Sequence, residues 1–335
     1  MATIKDIANR AGVAISTVSA VINRTAPTSA DVVARVEKAI AETGYAPQRA
    51  AQTLRSGRSR LVGLVIPDVT NPHFATVARI VENVCFAAGY MTFIYNTDED
   101  PDHEMKILRM MRTQRVAGLL LISTRSDARH GARLMAEINV PTIFMGSAVA
   151  GTPFDLVALD DLSAGRLAAG RLLDLGHRRI FFVAGRKGVS TNDERLEGCR
   201  QAFADRGMEF SDSRVVFADF SEERALVEAR RALSGEGRAT GVVSLSNLMT
   251  IGVMRAIRAS GLACPSDISV IGVDDFEWAD IMNPPPTTIA QPVAEMTRLA
   301  ITSLLDQIKS GAKPSGRRLR FEPKLVVRAS CGPCA

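Results

Sequence analysis

The amino-acid sequence predicts an α/β protein with a short helical N-terminal segment and two doubly wound parallel-sheet lobes. Three observations support this prediction. Residues 1–60 contain nine Lys and Arg against four Asp and Glu, and so hold the whole net charge of +5. From Leu61 onward, short apolar runs alternate with amphipathic stretches, which is typical of parallel sheets covered on both faces. The strand–helix repeat restarts near Asp160, and the strands are too many for one compact sheet.

Composition places the chain among ordinary globular proteins and restricts its class. Its 335 residues, 46% apolar and 23% charged, leave room for two or three domains. The N-terminus lacks the charged-then-apolar order of a signal peptide, and no apolar run approaches the length of a membrane span. The five cysteines are mostly scattered, so we expect no disulfide framework. These features predict a cytoplasmic protein without a membrane partner.

The basic N-terminal segment predicts a three-helix helix-turn-helix headpiece. Thr3 and Asp6 have capping-box spacing before a first helix that Gly12 ends. A second helix is expected over 16–23, and a third opens at Thr28 with capping spacing and ends at Gly44. Two short helices with a tight turn, supported by a third, are the DNA-binding arrangement, and the basic charge favours it. The alternative is a small bundle used only for protein contacts.

The segment after this headpiece predicts a hinge helix and linker over residues 46–60. It starts with a proline and is rich in alanine, and it is too short to form a stable helix alone in water. Leu54 lies between basic residues without an obvious core to join. An apolar side chain in this setting suits a wedge inserted into a minor-groove base step.

The N-terminal motifs resemble the lactose-repressor (LacI-type) family of bacterial regulators, nearest to its purine- and sugar-responsive members. The resemblance rests on the run TIKDIANRAGVAISTVSAVIN, on Gly44-Tyr45-x-Pro47 and on the stretch to Leu54, and it extends over essentially the whole chain. It implies a homodimer on pseudo-palindromic operator DNA and a periplasmic-binding-protein-like effector domain. The DNA-contacting residues expected on this basis are Ile15, Ser16, Thr17, Ser19, Ala20, Asn23, Ser29, Gln48, Ala51 and Leu54.

Two departures from the family pattern affect the second helix. Ala14 stands where the family usually has a capping Ser, a loss typically worth ~1 kcal/mol, and we expect Ser16 or Thr17 to start the helix later. Ala20 stands where the family commonly has Arg. Because no Lys or Arg occurs from Ala11 to Asn23, this helix cannot read a guanine bidentately. We therefore expect weaker discrimination in the outer half-site and greater reliance on the hinge.

The predicted domains are 1–45 for the headpiece, 46–60 for the hinge, and 61–335 for effector binding and dimerisation. Lobe 1 is expected over about 61–160 and 291–320, and lobe 2 over about 161–290 and 321–330. The family crosses between its lobes three times, and we expect crossings near Asp160, Gln291 and Phe321. The strand candidates are Leu61–Ile66, Met91–Tyr95, Gly118–Ile122, Thr142–Met145, Ile180–Val183, Gly241–Leu245 and Ile268–Val273. The helix candidates are 73–88, 102–113, 161–175, 193–206, 222–234, 248–260 and 293–309.

Ligands of such lobes bind at the carboxyl ends of the strands, so two facing lobes form a binding cleft. The resemblance assigns an effector site to Phe74, Asp160, Arg195, Phe220, Ser246 and Asp274, with His73, Asn247 and Trp278 as further candidates. A vicinal diol suits a carboxylate, a guanidinium and an aromatic face, the chemistry of Asp274, Arg195 and Phe74. Asp160 taken alone is as often a helix cap, and Trp278 is as readily a surface or interface residue.

The expected effector is a sugar, polyol or sugar acid. Ser246-Asn247 stands where the family usually has an Asn-Asp pair, so one carboxylate is missing, and this favours the hypothesis of an anionic ligand such as a sugar acid. Val189 stands where the purine-responsive member has an arginine, which makes a purine corepressor the weaker alternative. The sequence therefore predicts a DNA-binding transcriptional regulator, a repressor relieved by its effector. Whether the effector releases or promotes DNA binding stays open.

Other functional classes have weaker support. Cys331-Gly332-Pro333-Cys334 has thioredoxin spacing, but no helix can follow it, and we expect a frayed tail. The four histidines show no metal-ligand spacing, and no catalytic or nucleotide-binding motif is present. We expect no catalytic residue, metal or cofactor. A sugar-binding transport receptor would share the fold of the body but needs a signal peptide and no basic headpiece.

Overall fold

The computed structural model describes residues 2–23, 26–45, 59–234 and 238–334. The chain divides into two compact units, residues 1–59 and 60–335. In the described part of the chain, no helix is long and apolar enough to cross a membrane.

In its described residues, the first unit contains three helices, α1 (Ile4–Ala11), α2 (Ile15–Asn23) and α3 (Ala30–Thr43). They enclose a small apolar core to which Ile7, Val18 and Val36 contribute fully buried side chains. The predicted capping box of α1 is present, because the Asp6 N–H donates to Thr3 Oγ1 and the Thr3 N–H donates to Asp6 Oδ2. Gly12 and Gly44 end α1 and α3 with φ of 63° and 60°, which glycine adopts without steric cost.

Two predicted helix starts are wrong. Helix α2 begins at Ile15, and the Ala14 carbonyl already accepts from the N–H groups of Thr17 and Val18 at 3.0 and 3.1 Å. Ala14 therefore occupies the capping position itself, and the helix does not start later at Ser16 or Thr17. Helix α3 begins at Ala30 after Ser29, one residue beyond the predicted cap. The Thr28 hydroxyl donates to the Ala26 carbonyl at 3.1 Å.

Residues 60–234 and 238–334 of the second unit form two six-stranded sheets. The strands in chain order are β1 (Leu61–Ile66), β2 (Met91–Asn96), β3 (Gly118–Leu121), β4 (Thr142–Met145), β5 (Asp155–Leu159), β6 (Ile180–Ala184), β7 (Val215–Phe217), β8 (Gly241–Ser244), β9 (Ser269–Val273), β10 (Thr287–Ala290), β11 (Arg318–Phe321) and β12 (Lys324–Val326). The sheet of lobe 1 has the order β11-β5-β4-β3-β1-β2, and that of lobe 2 has the order β12-β10-β9-β8-β6-β7. Every pairing is parallel except that of β12 with β10.

Helices cover both sheets. They are α4 (Pro72–Ala87), α5 (Pro101–Thr113), α6 (Ala128–Glu137), α7 (Asp161–Asp174), α8 (Ser190–Ala204), α9 (Glu222–Ala232), α10 (Asn247–Ala259) and α11 (Val293–Ser310). The chain crosses from the first sheet to the second after β5, returns after β10, and crosses again between β11 and β12. The alternation pattern predicts the remaining elements but not α6, β5, β7, β10, β11 or β12. Strands β10, β11 and β12 carry polar or charged residues, and β7 has only three residues, which explains why the pattern misses them. Strand β5 does contain the apolar run Leu156–Leu159, and the prediction missed it.

Helices α7 and α8 pack with their backbones in contact. A Cβ atom built on Gly165 of α7 would lie 1.8 Å from the Arg195 carbonyl oxygen, and one on Gly198 of α8 would lie 1.9 Å from that of Leu162. Only glycine at both positions permits this approach. The contact brings Asp161 at the start of α7 beside Arg195 on α8.

The C-terminal segment is not frayed, contrary to the prediction. Ser330 is fully buried, and its hydroxyl accepts from the Thr287 N–H at 2.7 Å and donates to the Val270 carbonyl at 2.6 Å. The Gly332 carbonyl contacts His177 Nε2 at 3.0 Å. Burial raises the pKa of Cys331, the opposite of the lowered pKa that a reactive thioredoxin-type thiol requires.

Candidate functional site

A cavity of about 170 Å³ lies between the two lobes at the carboxyl ends of their strands. Seven of the nine residues predicted for the effector site line it: His73, Phe74, Arg195, Phe220, Ser246, Asn247 and Asp274. This is the position at which doubly wound sheets bind ligands.

Arg195 is the centre of a buried ionic network in this cavity. Its Nε donates to Asp161 Oδ1 at 2.7 Å, and its Nη1 donates to the Leu245 carbonyl at 2.7 Å and to Asp274 Oδ2 at 3.2 Å. Its Nη2 lies 3.3 Å from Asp274 Oδ1. Four of the five N–H groups of the guanidinium are therefore engaged. The network holds both carboxylates at the wall of the cavity.

Asp274 is held in place by Arg195, by the Ile289 carbonyl and by Gln291. It follows β9 with a φ of 70°, a left-handed conformation that is uncommon for a residue with a side chain. Its N–H donates to the Ile289 carbonyl at 2.9 Å, and its Oδ1 accepts from Gln291 Nε2 at 2.6 Å. Because Gln291 belongs to the crossing segment after β10, the network connects the cavity to the junction of the lobes. Backbone strain of this kind persists where the surroundings determine the conformation.

The buried charges alter one another's protonation. Burial raises the pKa of Asp161 to about 6, although the Arg195 guanidinium opposes this rise. Burial alone would lower the pKa of Arg195, but the carboxylates of Asp274 and Asp161 outweigh it and raise this pKa. At neutral pH the arginine is charged and Asp161 is mostly ionised.

Two aromatic rings from opposite lobes line the cavity. Phe74 lies on α4 in lobe 1 and contacts the His73 ring edge to face, with centroids 4.9 Å apart. Burial lowers the pKa of His73, so this imidazole is neutral at pH 7. Phe220 of lobe 2 has a φ of 60°, and its ring packs so closely on Gly185 that a Cβ there would lie 2.2 Å from it. The rings provide apolar faces beside the polar network.

The two remaining candidates lie outside the cavity. Asp160 caps α7: its Oδ1 accepts from the Ser163 N–H at 3.1 Å, and its Oδ2 accepts from the Ser163 hydroxyl at 2.7 Å. The neighbouring Asp161 points into the cavity and pairs with Arg195. We therefore replace Asp160 by Asp161 in the candidate set. Trp278 is 38% exposed and packs on Phe276 with ring centroids 4.5 Å apart, away from the cavity lining.

Sequence reasoning missed several polar residues of the cavity wall: Asp68, Asn71, Glu99, Ser123, Ser147, Thr191, Asp219 and Gln291. Burial raises the pKa of Glu99 to about 7, against the opposing charge of Arg186. The Arg186 guanidinium lies 3.8 Å from both the Glu99 and the Asp219 carboxylates. Glu99 and Asp219 come from loops with positive φ after the edge strands β2 and β7, a conformation for which the sequence has no glycine signal.

The structure also places the residues assigned to DNA contact. Ile15 and Ser16 on α2 are exposed, as is Ser29 before α3, while Thr17, Ser19 and Ala20 are partly exposed. Val18 of the same helix is fully buried, so α2 has one buried face and one accessible face. The Asn23 side chain and the whole of Gln48, Ala51 and Leu54 lie outside the described residues.

Comparison with known proteins identifies two family models in the chain. Residues 3–48 match the model for bacterial regulatory proteins of the lacI family, and residues 169–331 match a periplasmic binding protein-like domain. The ribose operon repressor of Escherichia coli K12 is 36% identical over 330 residues, covering 98% of this chain and 100% of that protein. The HTH-type transcriptional repressor PurR of Serratia proteamaculans is 34% identical over 331 residues, covering 98% and 97%.

Solved structures give the same assignment. The lac repressor dimer bound to operator and an anti-inducer superposes with a TM-score of 0.87 at 26% identity, covering 98% of each chain. A LacI family regulator of Enterococcus faecium with bound ribose superposes with a TM-score of 0.72 at 26% identity, covering 82% of this chain and 100% of that chain. The predicted fold class and family are confirmed. The chain belongs to the lacI family of bacterial regulatory proteins.

Proposed function

We propose that this protein is a transcriptional repressor that binds operator DNA as a homodimer and responds to a neutral monosaccharide in the cavity between its lobes. The observation that carries the proposal is the Arg195–Asp161–Asp274 network beside the rings of Phe74 and Phe220. Carboxylate acceptors and aromatic faces are the groups that a sugar's hydroxyls and C–H face require. The repressors and the ribose-bound regulator to which the chain is similar support the same function.

The charge balance of the cavity supports a neutral ligand over a sugar acid. Five carboxyl groups line the cavity, those of Asp68, Glu99, Asp161, Asp219 and Asp274, and Arg195 is the guanidinium in this lining. Glu99, with a pKa of about 7, is only partly ionised at neutral pH, and Arg186 lies 3.8 Å from Glu99 and Asp219, but the ionised carboxylates still outnumber the two guanidinium groups. Four of the five N–H groups of Arg195 already have acceptors, so an added carboxylate would find at most one free donor. A neutral polyol instead donates hydroxyl hydrogens to the carboxylates. Within the predicted class of sugars, polyols and sugar acids, we therefore propose a neutral sugar.

A purine corepressor is the second candidate, because PurR proteins are among the relatives. Val189 weighs against it. This residue lines the cavity with an apolar side chain that is 4% exposed, and it offers no donor to a purine carbonyl or ring nitrogen. The experiment below decides whether the effector weakens or strengthens DNA binding.

One buried cluster resembles a catalytic triad in composition but not in geometry. Ser123 Oγ and Glu104 Oε2 both lie 3.2 Å from the same ring nitrogen of His130, Nε2. A general base needs its nucleophile and its orienting acid on opposite ring nitrogens. The cluster supports a structural role, and we include the absence of catalysis in the proposal.

The test is ligand binding to two variants at adjacent aspartates. D-Ribose, other pentoses and hexoses, the corresponding sugar acids and purine bases are titrated while thermal unfolding of the full chain is followed. A ligand at a hundred times its Kd adds about 2.7 kcal/mol to the free energy of unfolding. Asp161→Asn removes a cavity carboxylate and should abolish this gain. Asp160→Asn is the matched control, because Asn caps a helix about as well as Asp and the side chain lies outside the cavity.

The same samples are then tested for binding to DNA selected by the protein from a random library. An inducing sugar should weaken DNA binding by the wild type and the D160N variant, and not by D161N. A response confined to purines would establish the second candidate, and a response confined to sugar acids would contradict the charge argument. Loss of binding in D160N with binding kept in D161N would refute the assignment of the site.

A further inference from the structure

Helix α8, which carries Arg195, has no N-terminal cap of its own. It begins at Ser190, and the residue in the capping position is Val189, which has no side-chain acceptor. The first N–H groups of a helix have no partner within the helix and need an acceptor from elsewhere. By contrast, α9 and α10 of the same lobe are capped by Ser221 and Ser246.

The missing acceptor comes from the opposite lobe. Ser126 lies in the segment between β3 and α6 of lobe 1, and its Oγ accepts from the Ser190 N–H at 2.9 Å. In return, Ser190 Oγ accepts from the Ala148 N–H of lobe 1 at 2.8 Å. The Ser126 N–H also donates to the Gly188 carbonyl at 2.9 Å. Each serine hydroxyl thus accepts from a backbone N–H of the other lobe.

We propose that Ser126 supplies, across the cleft, the side-chain acceptor that the N-terminus of α8 lacks, so that closure of the lobes orders the first turn of the helix that carries Arg195. When the lobes separate, the Ser190 N–H loses its acceptor, and the turn that holds Thr191 at the cavity wall loses its cap. Ser126 does not belong to the described lining of the cavity, so it acts on the cavity through α8. It is therefore a positioning residue. Effector affinity and lobe closure become coupled through the order of one helical turn.

The magnitude follows from the usual effect of a side-chain cap. Removing a Ser cap changes the stability of a helix end by about fivefold as an equilibrium ratio. Amide exchange in the first turn of α8 should accelerate by the same factor when the Ser126 hydroxyl is removed, because exchange reports local opening. This inference holds for any ligand of the cavity, and its test needs none, so it can fail or succeed independently of the proposed function.

The experiment is hydrogen exchange followed by mass spectrometry on the full chain, without added ligand. Ser126→Ala should accelerate exchange about fivefold in peptides covering 186–196, and Ser126→Thr, which keeps the hydroxyl, should restore the wild-type rate. Ser221→Ala is the matched control: it removes the cap of α9, whose Oγ accepts from the Arg224 N–H within lobe 2. It should accelerate exchange only in peptides covering 221–228.

Three results would overturn the inference. Wild-type exchange over 186–196 in S126A would show that the cap across the cleft does not stabilise the turn. Fast exchange in S126T would show that the hydroxyl is not the active group. Equal acceleration over 186–196 in S221A would show that the effect is general destabilisation of lobe 2.

Discussion

Replacing Gly165 of α7 by alanine tests whether the contact between α7 and α8 positions Arg195. The new Cβ would lie 1.8 Å from the Arg195 carbonyl oxygen. Ordinary C···O contacts are about 3.3 Å or longer, so the helices must separate by roughly 1.5 Å. Overpacking of this kind costs about 1–3 kcal/mol, against which alanine in a helix gains up to about 1 kcal/mol over glycine. Because the 1.8 Å contact is with backbone, we expect the upper part of the overpacking range, and hence a net loss of about 1–2 kcal/mol in the free energy of unfolding.

The same displacement should weaken the site. The clashing oxygen belongs to the residue whose side chain donates to Asp161 at 2.7 Å, and a separation of roughly 1.5 Å breaks a hydrogen bond of that length. Urea unfolding of the full chain measures the stability, and titration with the ligand identified above measures the affinity. We expect both to fall in Gly165→Ala.

Gly170 provides a control on the same helix. A Cβ there would meet only the end of the flexible Arg206 side chain, at 3.4 Å. Gly170→Ala should therefore gain the helix propensity without the clash, a stabilisation of up to about 1 kcal/mol. We therefore expect Gly165→Ala to lower the free energy of unfolding and Gly170→Ala, five positions along the same helix, to raise it. A G165A protein as stable as G170A, with unchanged ligand affinity, would refute it.

Three further predictions concern separate parts of the chain. Burial raises the pKa of Glu99 to about 7, so the folded protein binds this proton more tightly than the unfolded chain, and wild-type stability falls as pH rises between about 4.5 and 7. Glu99→Gln removes the dependence, and its gain in urea unfolding should grow by about 2 kcal/mol from pH 5.5 to 8; a gain that stays constant over this range would contradict the raised pKa. Ala14→Ser supplies the side-chain acceptor that the capping position of α2 lacks, so amide exchange in peptides covering 14–23 should slow about fivefold. An unchanged exchange rate would contradict the assignment of position 14 as the cap. Ser330→Ala leaves the Thr287 N–H without its acceptor and should cost about 1–3 kcal/mol in urea unfolding, and a neutral result would support a loosely held tail.

The alternation of apolar runs predicted most of the fold because strands buried on both faces need continuous apolar sequence. All seven predicted strands, β1, β2, β3, β4, β6, β8 and β9, match the structure to within one residue at each end. The pattern fails at β11 and β12, where Arg318, Arg320 and Lys324 interrupt short edge strands. An edge strand exposes one side to solvent and tolerates charge, so its sequence resembles a loop.

The candidate site was predictable where a motif fixed the residue, as for Phe74, Arg195 and Asp274. The choice between Asp160 and Asp161 could not be predicted, because either aspartate suits the start of a helix. Only the backbone conformation at the start of α7 determines that Asp160 caps the helix and Asp161 faces the cavity. The position of Glu99 could not be predicted from the sequence for a different reason. Its place at the cavity wall depends on a loop with a φ of 58° and on Arg186 from the other lobe, and local sequence reports neither.

Asn247 shows how a departure from the family pattern can be explained by contacts between the lobes. Its Nδ2 donates to Asn71 Oδ1 of lobe 1 at 2.8 Å, and Asn71 Nδ2 lies 3.4 Å from Asn247 Oδ1 in return. An aspartate at 247 could accept from Asn71 but could not donate back, and Asn71 Oδ1 would keep only the His73 N–H. The contact with Asn71 therefore explains why position 247 is an asparagine rather than an aspartate, and no anionic ligand is needed for the explanation. Together with the Ser126 and Ser190 contacts, it gives the closed lobes direct hydrogen bonds of their own, so ligand contacts need not supply all the energy of closure.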